Sequence, residues 1–178
     1  MSYLLGISGS LRGESTNTKL IRAAAKVYGG AFHEGHLRMP LYDGDLEEAE
    51  GIPAPVQTLS DQIKGAEAVI ISTPEYNKSL SGVLKNALDW VSRTDGSPWK
   101  DKPVAIMSAT AGRAGGERAQ YALRLCMVPF GTRIIQTPEV LVAASGQQFD
   151  DAGDLTGEMN IKTVTNLMEA LKAEVARG

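Results

Sequence analysis

The sequence predicts a single doubly wound α/β domain, a five-stranded parallel sheet with helices on both faces. Three observations predict it. Short apolar runs alternate along the whole chain with longer stretches of helical period. The runs are apolar throughout rather than at every second position, as in strands covered on both sides. Finally, 178 residues with 43% hydrophobic and 22% charged side chains suit one core, so one domain over 1–178 is expected.

The expected strands lie at 3–8, 66–72, 103–108 and 132–135, the last extending toward 141. A weaker strand at 31–37 mixes polar and apolar positions, as at a sheet edge. Helices are expected at 16–27, 56–65, 83–92 and 116–128, each with apolar residues three and four apart. In the tail, Ile161, Val164, Leu167, Met168, Leu171 and Val175 form the stripe of a final helix. The segment 39–55, with Pro40, Gly44, Gly51, Pro53, Pro55 and five acidic residues, reads as a long solvated connection. Strand-helix alternation implies right-handed crossovers, and such sheets bind ligands at the carboxyl ends of their strands.

Several classes are excluded by composition. A net charge of −3 and an isoelectric point near 5.4 give no basic field for nucleic acid. No apolar run approaches the length of a membrane span, and the N-terminus lacks a basic flank and cleavage site. With Cys126 as the single cysteine, a reducing, cytoplasmic setting is expected. Cys126 sits in an apolar helix, which argues against thiol chemistry. His33 and His36 have no further ligand at metal spacing, so no metal is expected.

The first strand runs into Gly9-Ser10-Leu11-Arg12-Gly13-Glu14-Ser15-Thr16-Asn17, where a helix begins. Helix-start amides and the backbone dipole favour an anion. Ser10, Ser15, Thr16 and Asn17 add neutral hydrogen bonds, and Arg12 is the only cation expected in this cup. Capping alone requires one such side chain, whereas this loop supplies four and an arginine. Neither the Gly-Lys-Ser/Thr ending of a P-loop nor the three-glycine dinucleotide fingerprint is present, so a single terminal phosphate fits best.

The third strand is followed by Pro74-Glu75-Tyr76-Asn77 and by Gly82-Val83-Leu84-Lys85-Asn86-Ala87-Leu88-Asp89-Trp90. The fourth leads into Ser108-Ala109-Thr110-Ala111-Gly112-Arg113-Ala114-Gly115-Gly116. Lys85, Asn86 and Asp89 read as helix pairing and capping, and Trp90 as packing. Pro74 stiffens the strand exit and Tyr76 offers a broad amphipathic surface.

With the Gly-Ser-Leu-Arg loop, Ser15 and Asn17, these segments resemble the NADPH-dependent FMN reductase family, with its flavodoxin-like fold, over essentially the whole chain. The resemblance implies bound FMN and an NAD(P)H co-substrate, NADPH or NADH. It implies electron transfer to small acceptors such as quinones, flavins, azo compounds or chromate, with no catalytic side chain beyond the flavin. Pro74, Glu75, Tyr76 and Asn77 are implied to contact the ring and ribityl chain, and Ser108, Gly112 and Gly115 to line the pyrimidine edge. Arg113 is a candidate contact for the NADPH 2′-phosphate. A homodimer, or a homotetramer built from dimers, is implied. The chain departs from the family pattern at Leu80-Ser81, where a proline usually precedes the glycine, and a more mobile loop is expected there. The alternative reading, a flavodoxin-type electron carrier serving protein partners, is disfavoured because such carriers are often strongly acidic.

Overall fold

A computed structural model of the protein describes residues 2–178. Three strands form the middle of the sheet: β1 (Leu4–Ser8), β3 (Ala68–Thr73) and β4 (Pro103–Ala109), every residue of which is buried. This is why they read as unbroken apolar runs. β2 (Phe32–Gly35) takes one edge beside β1. β5 (Arg133–Ile134) and β6 (Val140–Val142) share the other edge, so the spatial order is β2-β1-β3-β4-β5 with β6 also on β4. All pairings are parallel.

The fifth strand position departs from the expected continuous run. β5 pairs with the start of β4 (Pro103↔Arg133) and β6 with its end (Met107↔Val140). Pro138 lies in the gap, and proline cannot donate to a ladder.

Side chains alternate between two cores. Leu5, Ile7, Val69, Ile71, Val104 and Ile106 face α3 (Ala54–Gly65), α4 (Gly82–Val91) and α5 (Glu117–Met127). Leu4, Ala68, Ile70, Ala105 and Met107 face α1 (Thr16–Tyr28) and α6 (Glu158–Ala176). The period of two along each strand, set against the three- and four-residue spacing of the helices, makes the two faces.

The segment expected as a solvated connection contains a helix, α2 (Gly44–Glu50). Asp43 caps it by accepting from the Asp45 N–H at 3.0 Å, and acidic residues occupy its first turn, where the helix dipole favours them. None of its residues is buried, so it carried no apolar stripe to detect.

Loop mobility at Leu80-Ser81 is also corrected. Ser81 is buried, caps α4 by accepting from the Leu84 N–H, and donates to the Gly9 carbonyl at 2.6 Å. The second loop is thereby fastened to the first. Among the described residues, no helix is long and apolar enough to cross a membrane.

Candidate active site

The cleft at the carboxyl ends of β1, β3 and β4 is built first by α1. Ser15 caps that helix, accepting from the Thr18 N–H at 3.4 Å. The amides of Thr16 and Asn17, at the helix start, have no intrahelical acceptor, and both residues line the cleft. Asn17 is buried and turned into the protein: its Nδ2 donates to Ala109 O at 2.9 Å, and its Oδ1 accepts from Ala109 N at 3.0 Å and from Ser72 Oγ at 2.8 Å. It ties the start of α1 to the ends of β3 and β4, with most of its side-chain hydrogen-bonding capacity used in doing so.

Ser10, Arg12, Ser15, Thr16 and Asn17 all line a cleft of about 620 Å³, in the size range of cofactor sites. So do Pro74, Glu75, Tyr76 and Gly112. The sequence reading took Arg12 as the only cation; the structure adds Lys19, which also lines the cleft and pairs with Glu14 at 3.0 Å. Lys19 stands one helical turn after Ser15, a spacing that could have shown it.

Glu75 has a structural duty besides. α5 begins at Gly116 in a left-handed conformation and has no side-chain cap of its own. Glu75 Oε2 accepts from the N–H groups of Arg118 (3.1 Å) and Ala119 (3.3 Å), supplying that cap from another loop. Next to it, Tyr76 and Ser79 exchange backbone hydrogen bonds at 3.0 and 3.1 Å around Asn77 and Lys78, both with positive φ (51° and 66°). Two positive φ values in a two-residue loop are the mark of a type I′ hairpin. The turn holds the half-exposed Tyr76 at the cleft mouth.

These features meet the demands of FMN. Hydroxyls, helix-start amides and two cations gather at one end, suited to a phosphate. Pro74, Tyr76, the methyl side chains of Ala109 and Ala111 and the bare backbone of Gly112 border the other, where a planar ring needs close approach.

Residues 3–147 match the family described as NADPH-dependent FMN reductase. The chain belongs to that family. An NAD(P)H-dependent FMN reductase of Pseudomonas aeruginosa is 38% identical over 177 residues, covering 98% of this chain and 95% of the relative. A quinone reductase of Escherichia coli is 35% identical over 174 residues, covering 95% and 93%. The solved structure of the flavoenzyme NAD(P)H:(acceptor) oxidoreductase FerB from Paracoccus denitrificans superposes with a TM-score of 0.89 at 32% identity, covering 99% of this chain and 98% of that one. The flavodoxin-like parallel sheet of this FMN reductase family member is the one its strand order describes.

Four of the expected contacts do not line the cleft. Ser108 is fully buried, donates to Gly115 O at 2.6 Å and accepts from Gln120 Nε2 at 2.9 Å, so its hydroxyl braces the loop from within. At Gly115 (φ +63°) a Cβ would stand 2.7 Å from the Leu141 backbone, so the glycine is there to let loop and β6 meet. Asn77 is in the hairpin turn. Arg113 is exposed on the loop after β4.

Conversely, Ser145, Gly146 and Phe149 line the cleft and were not anticipated. Ser145 N–H donates to Thr110 O at 2.9 Å, and Thr16 Oγ1 donates to Ser145 Oγ at 3.2 Å. The interruption of the fifth strand hid the fact that this segment follows a strand end. As expected, Lys85 and Asp89 pair on α4 at 2.6 Å and Trp90 is buried. Asn86, expected to pair or cap within the helix, instead ties α4 to a distant segment, accepting from the Tyr42 N–H and donating to Pro40 O, both at 2.8 Å.

Proposed function

We propose that this FMN-dependent NAD(P)H oxidoreductase holds the FMN phosphate among Ser10, Arg12, Ser15, Thr16 and Lys19, and the ring between Pro74, Glu75 and Tyr76 on one side and the Ala109–Gly112 loop on the other. The observation that carries this reading is the single cleft in which a cationic, hydroxyl-rich helix start adjoins a slot bordered by small and flat side chains.

When bound, the flavin supplies the two-electron relay between nicotinamide and acceptor, leaving no acid or base role for the protein. The chain's own residues bind and orient. Arg12 and Lys19 offset the phosphate charge, and the first amides of α1 donate to it. Asn17 fixes the spacing of the strand ends. Glu75 anchors the ring-side loop to α5. Tyr76, exposed at the mouth, would flank the ring where small acceptors approach.

Quinones are the favoured acceptors, since relatives bearing that name align over nearly the whole chain; free flavins, azo compounds and chromate are further candidates for so open a site. A homodimer or homotetramer is supported by Tyr121, Leu125 and Val128, which expose apolar surface at helical spacing on and just beyond α5. A cytoplasmic setting is supported by the lone, unpaired Cys126.

Anaerobic stopped-flow mixing of the FMN-loaded protein with NADPH tests the reading. Rapid loss of the flavin's visible absorbance is expected, followed by its return when a quinone is added. Flavin that stays oxidised rules out the reductase.

A further inference from the structure

On the far side of the Ser10–Gly13 loop from the cleft lies a second cavity of about 510 Å³, at the carboxyl ends of β1 and β2. The two share Ser10 and Arg12, so they are contiguous around one loop. Like the cleft, it opens outside the carboxyl ends of the strands, one strand away from the β1/β3 switch point that the cleft occupies.

Its lining is chemically divided. Arg12, Arg22 and Arg38 bring three guanidiniums against one carboxylate, Glu34, in a chain whose net charge is −3. Arg22 is held by Glu34 through two bonds, Nε to Oε1 at 2.7 Å and Nη2 to Oε2 at 3.1 Å. Among the described residues, the guanidiniums of Arg12 and Arg38 and the imidazole of His36 have no acceptor or carboxylate within bonding distance, although all three are exposed to this cavity. The other part is apolar: Ile21 and Leu37 are buried beneath it, and Leu11 stands 42% exposed. A cationic rim over an apolar floor matches a nucleoside phosphate better than an inorganic anion, because the base covers the apolar part while the phosphate meets the guanidiniums.

NADPH differs from NADH only by a phosphate on the adenosine ribose. A dinucleotide whose nicotinamide lies in the cleft and whose chain passes Arg12 would bring that group into this cavity. We infer that the cavity is the seat of the NADPH 2′-phosphate, gripped by Arg38 with Arg22 held ready by Glu34, and that Leu11 flanks the adenine. This rests on the reductase reading of the cleft. It relocates the 2′-phosphate contact from Arg113, which lines neither cavity.

The test has two arms on the FMN-loaded protein. In the first, adenosine 2′,5′-bisphosphate and adenosine 5′-monophosphate are titrated calorimetrically. The bisphosphate should bind tighter by roughly tenfold to a hundredfold, the worth of charge-assisted hydrogen bonds to one phosphate, and Arg38→Ala should abolish most of that preference. Equal affinities in the parent protein, or a preference retained in Arg38→Ala, overturn the assignment. In the second arm, the ratio of kcat/KM for NADPH over NADH should fall about tenfold in Arg38→Ala. A ratio within twofold of the parent's, or a fall in Arg113→Ala instead, overturns it. The titration needs no turnover, so it separates the two readings. Bisphosphate preference in a protein whose flavin NADPH cannot bleach would sink the reductase while leaving a 2′-phosphonucleotide site in place.

Discussion

Asn17 grips Ala109 by both of its backbone groups, donating to the carbonyl at 2.9 Å and accepting from the N–H at 3.0 Å, while the same Oδ1 takes the Ser72 hydroxyl. One amide on the first turn of α1 thus joins the ends of β3 and β4, and with them the loops that border the cleft. Asn17→Ala leaves a buried N–H, carbonyl and hydroxyl unpaired, and should cost about 2–4 kcal/mol in urea unfolding. Asn17→Asp keeps the acceptor but turns a carboxylate oxygen toward the Ala109 carbonyl, so it should not rescue. A loss below about 1 kcal/mol for Asn17→Ala would show that the clamp is dispensable.

The cleft's two cations should share the work of holding a phosphate. Arg12 is exposed and, among the described residues, pairs with no carboxylate, whereas Lys19 is 25% exposed and paired with Glu14. Arg12→Ala should therefore weaken FMN binding by roughly tenfold without abolishing it, and Arg12→Ala with Lys19→Ala by roughly a hundredfold. Glu14→Gln should tighten binding modestly by releasing Lys19. Fluorescence titration of the apoprotein with FMN reads all three; unchanged affinity in the double variant would remove both residues from the phosphate site.

How much of this was legible in the sequence depends on where each signal resides. β1, β3 and β4 were, because a strand buried on both faces is written as a run of Leu, Ile, Val and Ala. The helix-start loop was too, since capping chemistry is local. α2 was not, because a helix with no buried face has no period to read. The fifth strand position was misread as continuous, and with it went Ser145, whose place beside Thr16 depends on where β6 lands against β4. Glu75 was legible as a site residue but not as the cap of α5, a contact across 43 positions that no local pattern encodes. Nor does any local pattern encode that Ser108, on β4, bonds to Gln120 or that Gly115 lies against Leu141, contacts made between segments distant in the chain.

The hairpin that carries Tyr76 is strained at Lys78. Its φ of +66° is one that a side chain with a Cβ adopts at a cost, and type I′ turns prefer glycine at this second position. Lys78→Gly should relieve more strain than it adds in unfolded-chain entropy, stabilising the protein by about 0.5–1 kcal/mol. Thermal unfolding of the two proteins checks it. A lower Tm for the variant would mean that the Lys78 side chain makes a contact worth more than the strain.

Tyr28, the last residue of α1, should make stability fall in alkali. It is 7% exposed, and its hydroxyl donates to Glu67 Oε1 at 2.9 Å. Burial first, and then the hydrogen bond to Glu67, hold its proton well above the usual tyrosine range near 10. The folded state therefore keeps a proton that the unfolded chain gives up. Below about pH 10 both states are protonated and the contribution of Tyr28 is complete; above it the unfolded state gains, and stability declines by up to about 1.4 kcal/mol per pH unit from this group. Tyr28→Phe removes the hydrogen bond and the titration together. Urea unfolding at pH 8 should show the variant less stable by about 1 kcal/mol, and at pH 11 the gap should close or reverse. A gap of the same size at both values would mean that the Tyr28 hydroxyl titrates alike in the folded and unfolded chain.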